Sequence, residues 1–157
     1  MEKIILSEKD PHFKNEVASK PGAEAFMRCF TCGTCTASCP VAEVHDEYDP
    51  RRIIRMAILG MREEVLSSDI IWMCSRCYTC HALCPQNVKF TDVIAILREM
   101  AIAEGYAPKE RYEKAKDLDR VIQELRCRII DSKLHPDKKQ SDEIKAIVEK
   151  ELGEEWA

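Results

Sequence analysis

The chain has 157 residues, 33% of them charged, with 24 Lys and Arg against 28 Asp and Glu for a formal net charge of −4. That is the size of one domain with room for an added arm, and so even a charge balance leaves no footprint for a polyanion such as nucleic acid. The opening "MEKIILSEKDPHFKNE" has only three consecutive apolar residues before charges resume, and no later run approaches the roughly 18 that a membrane-spanning helix needs, so a soluble, cytoplasmic protein is expected.

The first informative stretch is "CFTCGTCTASCP", Cys29 to Pro40. Behind it, Asp49 and Pro50 form an N-cap and first-turn pair for "RRIIRMAIL", with Ile53, Ile54, Ala57 and Ile58 on one face and Gly60 as the stop. A short helix is expected over Ser68 to Met73, leading into "CSRCYTCHALCP", Cys74 to Pro85. This second cassette repeats the C-x-x-C-x-x-C-x-x-x-C-P spacing forty-five positions after the first, with Thr34 matched by Thr79 and Ala37 by Ala82, so it is an internal duplication. Thr91 is expected to cap "DVIAILREMAIAE", whose Val93, Ile96, Leu97 and Met100 are spaced for burial and which Gly105 closes.

Beyond this the composition becomes that of an extension. Residues 108 to 130 read as a long mixed-charge helix with Leu118, Ile122, Leu125 and Ile129 on a stripe, "DSKLHPDKKQS" as a polar linker, and "SDEIKAIVEKELG" as a last helix capped by Ser141 with Ile144, Ile147, Val148 and Leu152 apolar. The stripes either cover the core or dock a partner. The expected fold is therefore mainly α: an α-helical ferredoxin-like two-cluster module over residues 1–107, then a helical extension over 108–157. Cys127, alone in the long helix, is expected to be a small buried apolar residue. His12, His45 and His135 lie in polar stretches and carry no assigned role.

Nine cysteines without an export signal are poorly explained by disulfides, and the odd count agrees. Structural zinc is the next alternative, but zinc modules pair one C-x-x-C with a distant second pair, whereas here three cysteines fall at three-residue intervals and a fourth follows. The spacing is that of bacterial ferredoxins, where three thiolates of a run hold one [4Fe-4S] cluster and the fourth serves the neighbouring one. Two [4Fe-4S] clusters are expected, one held by Cys29, Cys32, Cys35 and Cys84 and the other by Cys74, Cys77, Cys80 and Cys39.

Gly33 can take positive φ and bring backbone amides towards a cluster, although Tyr78 at the matching position shows that glycine is not obligatory. Thr31, Thr34, Thr36 and Ser38 are either donors to sulfur or plain loop residues. Arg76 and His81 either bring positive charge to the second cluster or face solvent. The sequence contains no G-x-G-x-x-G, no P-loop and no pairing of nucleophile with base. Four thiolates per cluster leave no open coordination position, so the residues point to an electron relay with no catalytic residues of its own.

"CFTCGTCTASCP", "YDPRRIIRMAILG" and "CSRCYTCHALCP" together resemble the small C-type iron–sulfur subunit of heterodisulfide reductases, over roughly residues 25 to 105. The resemblance implies a cytoplasmic, non-catalytic member of an oxidoreductase complex in methanogenesis or another anaerobic energy metabolism. In that family it relays electrons from a flavin- and cluster-rich A-type subunit to a catalytic B-type subunit, where the disulfide is reduced at clusters held by CCG motifs. This chain has no such motif, so catalysis would lie in the partner. Three other readings stay open: a relay in a related complex with another substrate, a free ferredoxin-type carrier, and the iron–sulfur subunit of a succinate or fumarate oxidoreductase. The missing C-x4-C-x2-C pattern counts against the last.

Overall fold

The computed structural model describes residues 4–135 and 141–152, and every regular element among them is helical. In chain order these are α1 (Phe13–Ala18), α2 (Thr34–Ala37), α3 (Pro40–Val44), α4 (Pro50–Ile58), α5 (Arg62–Leu66), α6 (Thr79–Leu83), α7 (Phe90–Ala103), α8 (Lys109–Leu134) and α9 (Ser141–Leu152). Short 3-10 turns cover Leu6–Glu8, Phe26–Arg28 and Asp69–Trp72. The mainly helical class expected from the sequence is what the chain adopts. It divides into two compact units, Met1–Tyr112 and Glu113–Ala157.

In the first unit local chemistry sets the helix ends. The Asp49 side chain accepts from the Arg52 amide at 3.1 Å and Pro50 stands at the first helical position, which starts α4 as expected. Gly60, at φ +80, ends it in a Schellman motif: the Met61 amide donates to the Met56 carbonyl and the Gly60 amide to that of Ala57. Gly105 closes α7 in the same way, with Tyr106 donating to Ala101 and Gly105 to Ile102. The segment expected as a helix over Ser68 to Met73 is a single 3-10 turn, which Ser68 caps by accepting from the Ile70 amide at 3.3 Å.

The core forms where α4 and α7 turn their apolar faces towards the N-terminal arm. Ile53, Ile54 and Ala57 are buried from α4, and Val93, Ile94, Ile96, Leu97, Met100 and Ala101 from α7. Ile58, expected with the α4 group, is only half-buried. Phe13, Val17, Ala23 and Phe26 from the arm, and Val65, Leu66 and Ile71 beyond α4, complete the cluster. Each large side chain buried this way contributes about 1.5–3 kcal/mol.

The backbone overrides one expected cap. Lys89 takes a left-handed conformation, φ 56, with no side-chain cap, and α7 starts at Phe90. Thr91 thereby falls inside the first turn, fully buried.

The second unit holds most of α8 together with α9. Helix α8 runs to Leu134, so residues 131–134 of the expected linker are helical; residues 136–140 lie outside the described residues. Ser141 is the first residue of α9 and not the cap expected before it. Of the stripe on α8, Ile122 and Leu125 are half-buried while Leu118 and Ile129 are 52% and 47% exposed. Cys127, expected to be buried, is exposed; two residues past Leu125, it sits on the opposite side of the helix. Ile144, Ile147 and Val148 are half-buried, and Leu152 lies outside the described side chains. Arg128 pairs with Glu124 at 3.0 Å and with Glu143, tying α8 to α9.

The arm is fixed to the first unit through Gly60 and Arg62. The Asp10 amide donates to the Gly60 carbonyl at 3.0 Å, so close that a Cβ on Gly60 would stand 2.1 Å from the Asp10 carbonyl oxygen. Arg62 donates to the Asp10 carboxylate at 2.8 Å, pairs with Glu16 and Glu104, and lies 4.7 Å over the Phe13 ring. One guanidinium thus joins the arm, α1, α5 and the end of α7.

Gly60→Ala is expected to cost about 2–4 kcal/mol in denaturant unfolding, because it adds a backbone clash to the penalty for positive φ. Gly105→Ala, at φ +79 with nothing within 4 Å of the added carbon, is expected to cost about 1 kcal/mol. Equal losses in the two variants would show that the contact with the arm does not constrain Gly60.

Candidate metal centres

The two cassettes fold alike, position by position. Cys29 leaves the 3-10 turn Phe26–Arg28, and Cys74 follows the turn Asp69–Trp72 by two residues. Thr31 and Arg76 then take left-handed backbone at φ 65 and 49, and Gly33 and Tyr78 do so at φ 85 and 61. These two reversals wrap each loop around its own interior before α2 and α6 begin at Thr34 and Thr79. The fourth cysteines are both extended, Cys39 at φ −88, ψ 118 and Cys84 at φ −72, ψ 116, each ahead of a proline that cannot continue the turn. Left-handed backbone is free for Gly33 but costs Tyr78 about 1–2 kcal/mol. Its ring is steadied by Arg76, which donates to the phenol oxygen at 2.9 Å and lies 5.9 Å from the ring centroid.

Helices α2 and α6 pack together, and two cavities open between the loops. Cys29, Cys32, Cys35 and Cys84 line the first, with Arg51 and Gly33. Cys39, Cys74 and Cys77 line the second, with Tyr48 and Thr91. Cys80 lines both. Each cavity therefore meets the fourth cysteine of the other cassette.

Thr34, Thr36 and Ser38, each either a donor to sulfur or a plain loop residue by sequence, divide clearly. Thr34 Oγ1 lies 3.4 Å from Cys32 Sγ, and its repeat partner Thr79 lies 3.5 Å from Cys77 Sγ. Thr36 instead donates to Asp49 Oδ1 at 2.5 Å while accepting from the Arg51 amide at 3.2 Å, which ties the first loop to the start of α4. Ser38 donates to the Thr34 carbonyl at 2.8 Å. Arg76 and His81 are both half-buried, and His81 Nδ1 is buried with no hydrogen-bond partner among the described residues.

Three contributors escaped the sequence reading. Arg98, 3% exposed, donates to the carbonyls of Ile71, Trp72 and Cys74 at 2.8, 3.0 and 3.0 Å and so holds the entry to the second loop. It follows Ile94 by four residues and precedes Ala101 by three, so it lies on the buried face of α7, a signal that helical spacing could have revealed. The Thr91 hydroxyl stands 3.6 Å from Cys80 Sγ. Tyr48, 1% exposed, brings its hydroxyl beside the Cys74 thiol without the geometry of a hydrogen bond to it, and no partner exists among the described residues.

Electrostatics separate the two sites. The Thr34 hydroxyl beside the exposed Cys32 thiol draws its pKa below the ordinary thiol value. Burial raises those of Cys35 and Cys74 and pushes Cys80 up to about 11. Such thiols become thiolates when a metal ion supplies the compensating charge. No group of three described His, Cys, Asp or Glu side chains converges as a single ion requires, whereas zinc draws its sulfurs in to about 2.3 Å. Cavities each lined by several soft thiols, with an orphaned hydroxyl at the wall of one, fit an iron–sulfur cluster.

Comparison with known proteins agrees. Residues 25–88 match the family model described as a 4Fe-4S dicluster domain, which indicates two [4Fe-4S] clusters. The C-type subunit of the H(2):CoB-CoM heterodisulfide,ferredoxin reductase of Methanothermobacter thermautotrophicus is 38% identical over 97 residues, 62% of this chain and 51% of that one. The second of the C-type iron-sulfur subunits of the CoB--CoM heterodisulfide reductase of Methanocaldococcus jannaschii is 38% identical over 109 residues, 65% of this chain and 58% of that one. The C2-type subunit of the H(2)/formate:CoB-CoM heterodisulfide,ferredoxin reductase of Methanococcus maripaludis is 46% identical over 81 residues, covering 52% and 43%. The resemblance drawn from the cassettes is thus borne out, and the chain spans about half the length of the curated relatives it matches.

Arg98→Met would strip the donor from three carbonyls and is expected to cost about 2–4 kcal/mol of unfolding free energy. Arg98→Lys is expected to recover little, because one ammonium cannot span all three as the planar guanidinium does. Denaturant unfolding of the three proteins checks this, and a stable Arg98→Met protein would contradict it.

Proposed function

We propose that this chain is an iron–sulfur electron-transfer subunit of a heterodisulfide reductase-type complex. In this reading it takes electrons from a flavin/iron–sulfur A-type subunit and passes them to a catalytic B-type subunit that reduces the disulfide. The observation that carries the reading is the pair of cavities between the loops, each lined by cysteines of both cassettes. The names of the relatives supply the kind of complex.

The [4Fe-4S] clusters supply one-electron acceptance and release. Cys29, Cys32, Cys35 and Cys84 are proposed to hold one, and Cys74, Cys77, Cys80 and Cys39 the other. The lining supports this division: Cys84 borders the first cavity and not the second, and Cys39 the reverse. Cys80 borders both and puts a ligand sulfur between the two sites, a short route for transfer in series. Thr34 and Thr79 orient the outer thiols, while Arg51 brings a cation to the first cavity.

Exposure supports exchange with a partner at the first site. Cys32 is exposed there, and Phe30, which lines the cavity, is 58% exposed. Residues 108–157 are proposed as the docking extension, which favours a subunit over a free carrier. On α8, Leu118, Ile129, Ile130 and Leu134 are open to solvent, an apolar surface of the kind that marks contact sites.

Anaerobically reconstituted protein is expected to hold about eight irons, and Cys84→Ala about four. Cys84→Ala should remove the cluster of Cys29, Cys32 and Cys35, leave the Mössbauer signature of the other unchanged, and sharply reduce electron flow through the complex. Cys39→Ala should do the converse. Loss of the cluster of its own cassette in Cys84→Ala would overturn the ligand sets, and stoichiometric zinc would overturn the function.

A further inference from the structure

Tyr48 is almost wholly buried in the first unit, 1% exposed, and the fold alone does not explain why a hydroxyl should stand there. It follows α3, its amide donates to the His45 carbonyl at 3.0 Å, and its ring belongs to the central apolar cluster. A phenylalanine would fill that place without bringing a hydroxyl into the interior. Yet the hydroxyl is buried, reaches the wall of the second cavity beside Cys74, and finds no hydrogen-bond partner among the described residues. Buried hydroxyls left unpaired are costly, so an orphan at a cavity wall marks a partner that the cavity itself receives.

We infer that the Tyr48 hydroxyl donates a hydrogen bond to a sulfur of the cluster held by Cys39, Cys74, Cys77 and Cys80, and that this bond raises the reduction potential of that cluster. The inference rests on the proposed ligand sets. Reduction adds one negative charge to the cluster, and a donor aimed at sulfur stabilises the more negative state more strongly. Among the described residues no tyrosine lines the first cavity, whose lining includes Ile54 and Arg51, and the residue forty-five positions after Tyr48 is Val93, inside α7. The duplicated loops thus carry unlike surroundings, and Tyr48 is a positioning residue that makes two clusters of the same ligation inequivalent.

The test is a potentiometric titration of the anaerobically reconstituted full chain, followed by EPR. Tyr48→Phe keeps the ring and is expected to lower one of the two midpoint potentials by about tenfold in the reduction equilibrium, 59 mV for one electron, while the other stays fixed. A ring-fluorinated tyrosine at position 48, a stronger donor, is expected to raise the same midpoint. The exchangeable proton coupled to that cluster in ENDOR spectra should vanish only in Tyr48→Phe. If Tyr48→Phe holds its iron poorly, the fluorinated protein decides. Two unchanged midpoints would overturn the inference and leave the relay intact, whereas a chain that takes up zinc in place of iron would overturn both.

Discussion

Two loops forty-five residues apart bring eight thiols around two cavities, and cysteines of both loops line each cavity. This crossing of the fourth cysteines is the constraint on which the rest of the first unit depends. It requires α2 and α6 to lie side by side, each loop to reverse twice through left-handed backbone, and each fourth cysteine to leave its helix extended. The proline behind each fourth cysteine enforces that exit. A site assembled from both halves also couples them, because pulling the loops apart dismantles both cavities at once.

The helices between and beyond the cassettes serve that arrangement. Helix α4 starts at the hydrogen-bonded group of Thr36, Asp49 and Arg51, so its first turn is fastened to the first loop. Helix α7 fastens the second, through Arg98 to three carbonyls and through Thr91 beside Cys80. The N-terminal arm then closes the far side of the core through Gly60 and Arg62. Buried charge is tolerated at Arg98 because bare carbonyls at a chain reversal need donors, and a guanidinium satisfies several at once.

What could be read from the sequence was what short-range chemistry decides. The cassette spacing, the Asp49–Pro50 start, the Gly60 and Gly105 stops and the buried faces of α4 and α7 all follow from residues within a turn or two of one another. What could not be read depends on residues distant in the chain. Thr91 looked like a cap because a threonine precedes an apolar run; the left-handed Lys89 and the approach of Cys80 drew it into the helix. Cys127 looked buried by composition, yet helical phase turns it outward. Tyr48 gave no signal, because only the second loop, twenty-six residues on, gives its hydroxyl a cavity to face.

In the proposed ligation each of two four-iron sites draws its ligands from both cassettes. Diffraction from anaerobically grown crystals, recorded on either side of the iron absorption edge, locates the iron directly. Two separate four-iron peaks are expected, one contacted by Cys84 together with Cys29, Cys32 and Cys35, and one by Cys39 together with Cys74, Cys77 and Cys80. Peaks confined to single cassettes, or a zinc edge in place of the iron edge, would contradict it.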